Sequence, residues 1–347
     1  MGPRCVPANR LNNPVRGSWG EVSTQRKASG EARVVAIVQA RMGSTRLPGK
    51  VLKPLRGRPA LEHVLRRLRA AALLADTVVA TTELEEDRAI ALVAEPLGVR
   101  VVRGPVDDVL TRYQMAAALS GAEHVVRITA DCPCIDPRIV DRVIKAHLES
   151  GADYTSNIHP RTFPHGLDVE VVKTSALFYA AEHAGRREER EHVTPYIWTR
   201  PERFRLQNVF AEPGEKNPQI RVTLDTPEDY LALQAVFDLA GSEDFGAREL
   251  VALFQRYPWL SALNAVTRQK LPPVPEPPAQ RALRELVLAA GWALEQELSW
   301  AAAALLRIGE QVDSFVSNEP VSVEDLRGRL RLLETRIAQA GGREGTS

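Results

Sequence analysis

Three cations and two glycines fall within ten residues of this chain. In Arg41-Met-Gly-Ser-Thr-Arg-Leu-Pro-Gly-Lys50, the side chains of Arg41, Arg46 and Lys50 supply fixed positive charge, and Gly43 and Gly49 allow backbone N–H groups close to an anion. With Ala40 and Ser44 they make a candidate cradle for a triphosphate. Neither the P-loop order G-x-x-x-x-G-K-[ST] nor the dinucleotide fingerprint G-x-G-x-x-G is present. A basic surface loop would carry the same charges, but this one directly follows residues 34–38, an apolar run rich in Val and Ile that reads as a buried parallel strand. Ligands of open α/β sheets bind beyond the carboxyl ends of such strands.

Two carboxylates stand at comparable places. Residues 125–128 read as a strand that delivers Asp131 in Thr-Ala-Asp-Cys-Pro133, and residues 221–224 read as a β-run closed by Asp225 in Asp-Thr-Pro-Glu. Each has a plainer role open to it. Asp131 before a proline suits a turn or helix cap, and Asp225 suits a cap that also binds metal. If both converge opposite the cationic loop, they form the donor pair that Mg²⁺-nucleotide chemistry needs.

The loop resembles the signature of cytidylyltransferases that make CMP-activated sugars, most closely the spore-coat polysaccharide (SpsF-like) branch. The resemblance continues through Arg127-Ile-Thr-Ala-Asp-Cys-Pro133, Gly166-Leu-Asp-Val-Glu170, Arg190-Glu-His-Val-Thr-Pro195 and Leu224-Asp-Thr-Pro-Glu-Asp229, over residues 33–240. It implies transfer of CMP from CTP to a sugar or sugar acid, with Asp131 and Asp225 on Mg²⁺. It places Thr81, Thr82, Asp108 and Arg112 beside the base and ribose. It also implies that residues 154–198 cover an acceptor pocket lined by His165, Gly166, Asp168, Glu170 and His192, and that they build a homodimer. A metal-dependent glycosyltransferase using a nucleotide-sugar is an alternative, although Asp131-Cys-Pro is not the Asp-x-Asp such an enzyme would want. A non-catalytic nucleotide-binding scaffold is another, and the presence of all three cations and both carboxylates speaks against it.

The elements needed to hold these groups are legible as alternation. Helices are predicted over 60–72, 85–97, 107–120, 175–184, 229–239 and 247–255, with strands over 77–81, 99–102, 155–158 and 169–172, and a solvated turn over 186–191. Strands alternating with helices at this spacing predict an α/β fold with a doubly wound, mostly parallel sheet. The resemblance makes it the nucleotide-diphospho-sugar transferase, GT-A-like Rossmann type. We divide the chain into a disordered leader (1–32), a nucleotidyltransferase domain (33–270), a Pro-rich linker (271–279) and an α-helical hairpin (280–340), whose apolar stripes call for the domain, a second subunit or a protein partner.

Forty-five cations against forty-four acids leave no global field to attract nucleic acid, and the few aromatics argue against a base-stacking platform. No run of ~18 apolar residues suggests membrane insertion. Cys5, Cys132 and Cys134 make no disulfide framework, which suits a reducing cytoplasm.

Overall fold

The computed structural model describes residues 32–265. The predicted linker and hairpin, and nearly all of the leader, lie outside the described residues. The first strand, β1 (Val34–Gln39), leads through the loop into a short hairpin of β2 (Pro54–Leu55) and β3 (Arg58–Pro59), then α1 (Ala60–Arg69) and β4 (Asp76–Thr82). Next come α2 (Arg88–Ala94), β5 (Arg100–Gly104), α3 (Val109–Ser120), β6 (His124–Thr129) and α4 (Pro137–Ser150). The inserted region holds β7 (Tyr154–Ser156), β8 (Glu170–Lys173), α5 (Thr174–His183), α6 (Arg187–His192), α7 (Pro195–Trp198) and β9 (Leu206–Asn208). Helices α8 (Pro227–Ala240), α9 (Ala247–Arg256) and α10 (Leu260–Leu263) complete it.

The main sheet has the order β5-β4-β1-β6-β8-β7-β9. Strands β5, β4, β1 and β6 run parallel, and β8 joins β6 antiparallel. β1 is central because both its faces are apolar: Val34, Ala36 and Val38 pack into one core layer, and Val35 and Ile37 into the other. The chain winds from β1 outward to β4 and β5, then α3 crosses over to place β6 on the other side of β1. The crevice between the carboxyl ends of β1 and β6 is therefore a topological switch point, where open α/β sheets bind their ligands.

The sheet is mostly parallel, as predicted, and Gly98 closes the second helical stretch in the left-handed conformation at φ 73°. Three expectations change. Residues 221–224 form no regular strand: Arg221 makes only an isolated parallel bridge to His165. Residues 186–191 are not a solvated turn: Arg187–His192 is helical because Glu189, 2 % exposed, accepts the Arg186 N–H and side chain and takes Arg200 as a second partner. Helix α4 was not foreseen. Its cap is Asp136, which accepts the Arg138 N–H at 2.9 Å.

Candidate functional site

The cradle is built on one peptide. The Met42 N–H donates to the buried Asp87 carboxylate at 2.6 Å, while the Met42 carbonyl accepts the N–H of Ser44 at 2.8 Å and of Gly49 at 3.0 Å. Gly49 takes φ 64°, and a Cβ there would stand 3.3 Å from the Met42 methyl. The Gly49 amide thus closes the loop on itself instead of facing an anion, which corrects the expectation from its type. Gly43 stays exposed. Ala40 is buried, its N–H donating to the Ala80 carbonyl at 3.1 Å, and the Ser44 hydroxyl accepts the Leu47 N–H. Arg41 is exposed and 4.0 Å from Glu191.

The loop ends by placing Lys50 between the two predicted carboxylates. Its Nζ donates to Asp131 Oδ2 at 2.5 Å and to Asp225 Oδ1 at 2.8 Å, and Arg46 Nη2 lies 3.3 Å from the same Asp225 oxygen. Asp131 is therefore no helix cap. Neither is Asp225: Thr226 caps α8, accepting the Asp229 N–H, and Asp225 stands one residue outside. Main-chain contacts fix the separation of the two carboxylates, since the Asp131 carbonyl accepts the Leu224 N–H at 2.8 Å and the Thr223 hydroxyl at 3.2 Å.

Arg221 aims Asp225. Its Nη2 donates to Asp225 Oδ2 at 2.8 Å, and its Nε and Nη2 donate to Asp229, which is fully buried and also takes the Asn264 amide. Burial alone would raise the Asp225 pKa, but Lys50, Arg221 and Arg46 outweigh it and bring the carboxyl down to about 2. Burial likewise opposes the Lys50 ammonium, yet Asp131 and Asp225 hold its pKa above the ordinary lysine value.

The residues fit a divalent cation of a particular kind. Asp131 and Asp225 reach one common point from two chain segments, and Mg²⁺ is usually bound by one or two carboxylates with substrate phosphates and water completing the octahedron. Among the described residues no group of three or more His, Cys, Asp or Glu could form a protein cage. The donor set suits a cation shared with a ligand's oxygens.

The predicted base and ribose contacts divide. Thr81 and Thr82 are buried at the carboxyl end of β4; the Thr82 hydroxyl donates to Asp87, and the Thr81 hydroxyl has no partner among the described residues. Asp108 caps α3 through the Thr111 N–H and accepts Arg190 Nε at 2.8 Å. Arg112 is 1 % exposed, with its Nη1 on the carbonyls of Pro105 and Val106, so it holds the turn before α3, and burial together with the nearby Arg41 charge lowers its pKa.

On the acceptor side, His165 and Arg221 are bridged by main-chain bonds, His165 N–H to Ile220 and Val222 N–H to His165. Gly166 is what lets these segments meet: at φ 110°, its absent Cβ would fall 2.7 Å from the Val222 carbonyl carbon and oxygen. Asp168 is held bidentately by Arg161. Burial lowers the His165 pKa, with Arg161 and Arg221 acting in the same direction. Glu170 is 2 % exposed and accepts from Arg127, the Tyr154 hydroxyl and the Thr194 hydroxyl, so both of its oxygens are taken within the protein. His192 is half-buried, and its ring nitrogens have no hydrogen-bond partner among the described residues.

Sequence reasoning missed Asp87, Arg161, Arg221 and Asp229. The last two stand in register with Asp225 at steps of four inside one motif, which is a usable signal. Asp87 gave none, because an acid in a run of acids before a helix reads as a favourable first turn.

The chain matches the cytidylyltransferase family model over residues 35–256. It is 37 % identical to an uncharacterised protein of Methanocaldococcus jannaschii over 69 % of this chain and 97 % of that protein. It is 36 % identical to the spore coat polysaccharide biosynthesis protein SpsF of Bacillus subtilis over 65 % of this chain and 95 % of SpsF. Among solved structures, a cytidylyltransferase from Leptospira borgpetersenii aligns with a TM-score of 0.64 at 32 % identity, covering 70 % of this chain and 99 % of the other.

Proposed function

Because this chain belongs to the cytidylyltransferase family and is a nucleotidyltransferase of that kind, we propose that it transfers CMP from CTP to a hydroxyl of a sugar or sugar acid in surface-polysaccharide biosynthesis. The observation that carries this reading is the convergence of Asp131 and Asp225 on Lys50 at the switch point beside Arg46. The acceptor oxygen attacks the α-phosphorus, the bond from that phosphorus to the bridging oxygen breaks, and pyrophosphate leaves. Arg41, Arg46 and Lys50 carry the phosphate charge, and the rigid backing of the Met42 peptide orients them. Mg²⁺ held by Asp131 and Asp225 would add electrostatic neutralisation of the phosphate oxygens. On this reading His165, Gly166 and Asp168 would line the acceptor side, joined to the Asp225 segment by the His165–Arg221 bridge, and no protein nucleophile is required.

The names of relatives support the acceptor class. SpsF is named for polysaccharide biosynthesis, and a 3-deoxy-manno-octulosonate cytidylyltransferase of Trichlorobacter lovleyi is 35 % identical over 33 % of this chain and 45 % of that enzyme. The same reading places the protein in the cytoplasm, with Cys132 and Cys134 as buried free thiols, and as a homodimer through the inserted region. Among the described residues, no helix is long and apolar enough to cross a membrane.

The test is thermal unfolding with each nucleoside triphosphate, with and without Mg²⁺, followed by pyrophosphate release with a panel of sugar acids and neutral sugars. A ligand at a hundred times its Kd adds about 2.7 kcal/mol. Stabilisation by CTP alone, lost in Asp131→Ala, is the expected result; stabilisation by a nucleotide-sugar and by no triphosphate would overturn the reading.

A further inference from the structure

Lys50 and a divalent cation require the same two oxygens. The ammonium is on Asp131 Oδ2 at 2.5 Å and Asp225 Oδ1 at 2.8 Å, which are the only direct links between those carboxylates among the described residues. Asp225 cannot turn its other oxygen inward, because Oδ2 accepts Arg221 Nη2 at 2.8 Å, and that guanidinium is itself locked onto buried Asp229. Asp131 keeps its place through its main-chain carbonyl, which takes Leu224 and Thr223, while its second oxygen, Oδ1, lies 3.7 Å from the Cys132 thiol. Arg46, 3.3 Å from Asp225 Oδ1, adds a second positive charge at the same point.

We propose that Lys50 and a divalent cation exclude one another at the Asp131–Asp225 pair, so that the cation enters only as the phosphates of the nucleotide draw the ammonium away. This rests on the metal-dependent reading above. Two positive groups cannot share those oxygens at contact distance without strong repulsion in a partly buried site. A triphosphate offers Lys50 new anionic partners, and the freed carboxylates then meet a cation that the same phosphates also bind. The movement asked of Lys50 is one of its long side chain alone, since main-chain bonds from Lys50 to Leu47 and from Lys53 to Lys50 hold its backbone. Metal and nucleotide binding are thereby coupled, and the coupling is reciprocal.

The test uses no acceptor and no nucleotide. Mn²⁺ binding to the full chain is measured by electron paramagnetic resonance of the free ion, for the wild type, Lys50→Met, Lys50→Gln and Lys50→Arg. Lys50→Met and Lys50→Gln are expected to bind Mn²⁺ at least tenfold more tightly than the wild type, and Lys50→Arg to bind it as weakly as the wild type. Adding Asp225→Asn to Lys50→Met should abolish the gain. Mn²⁺ affinity that is unchanged or weaker in both neutral variants, or a gain that survives Asp225→Asn, overturns the proposal. Because CTP is absent, failure of the wild type to transfer CMP would count against the proposed function and leave this result to stand or fall on its own.

Discussion

The main-chain N–H of Met42 donates to Asp87 at 2.6 Å, so a fully buried carboxylate behind the loop sets the loop's shape. The same carboxylate accepts the Thr82 hydroxyl, tying the loop to the end of β4. Asp87→Ala strands the buried Thr82 hydroxyl, at about 1–3 kcal/mol for a buried group left unsatisfied, and frees the part-buried Met42 N–H. We expect CTP affinity to fall by at least tenfold and amide exchange to quicken across residues 41–50. Asp87→Asn, which can still accept from Met42 and can donate to Thr82, should recover most of both. Equal CTP affinity in wild type and Asp87→Ala, measured by calorimetry, would separate the loop's shape from nucleotide binding.

Arg221 with Asp229 is a buried ion pair, and Arg221 also restrains Asp225. Removing one partner of such a pair typically costs 3–5 kcal/mol. Arg221→Met should therefore lower stability by about that amount in urea unfolding. Lysine cannot reproduce a two-nitrogen grip on one carboxylate, so Arg221→Lys should fold but lose turnover through misdirected Asp225. A fully active Arg221→Lys would show that Asp225 needs no such guide.

Gly166→Ala meets the Val222 carbonyl at 2.7 Å and forces an L-residue to φ 110°. Strain of this kind costs on the order of 1–3 kcal/mol, and here it falls on the segment that carries Asp225. A lower melting temperature together with weaker Mg²⁺-dependent CTP binding is expected. A drop in melting temperature alone would mean that the segment repacks without moving Asp225.

Two groups give separate pH windows. His147 is buried between His124 Nδ1 and the Thr155 hydroxyl, at 3.0 Å each, and burial, helped by His124, takes its pKa down to about 3. The unfolded chain binds a proton there near pH 6.5 and the folded chain does not. Stability contributed by neutral His147 is therefore present above about pH 6.5 and declines as pH falls toward 3, by up to ~1.4 kcal/mol per unit. Asp225, at about 2 when folded, adds stability that is present above about pH 4 and is lost only below it. Melting temperatures between pH 7.5 and 4.5 should fall in the wild type and fall less steeply in His147→Gln, the remaining slope coming from His63, His124, His159, His165 and His192, whose pKa values burial also lowers. A wild-type curve that is flat over that range would rule out the buried neutral histidine.

Much of the fold was open to reading because β1 has apolar residues on both faces and because its period differs from that of the helices around it. Local rules found the four parallel strands β1, β4, β5 and β6 and most helices, and they failed where a distant partner decides. Residues 186–191 look like a solvated charge run until Arg200 meets Glu189, and α4 follows a Cys-Pro-Cys turn that hides its Asp136 cap. The site divides the same way. Arg41, Arg46, Lys50, Asp131 and Asp225 were visible because a charged residue just past a buried run has few structural uses. For Arg112 and Asp108 the residue type gave no sign of their intramolecular partners, the Pro105 carbonyl and Arg190.

By itself the sequence determined the class of sheet, the loop that follows its central strand and the identities of the charged groups at its carboxyl edge. These depend on periodicity and on residue chemistry, which are local properties. Only the tertiary structure decided that Lys50 stands between Asp131 and Asp225, that Asp87 holds the loop and that Arg221 fixes one face of Asp225. Those relationships join residues 45 to 175 positions apart, or turn on which of two carboxylate oxygens is already taken. Chain connectivity does not specify such pairings until folding brings the segments together.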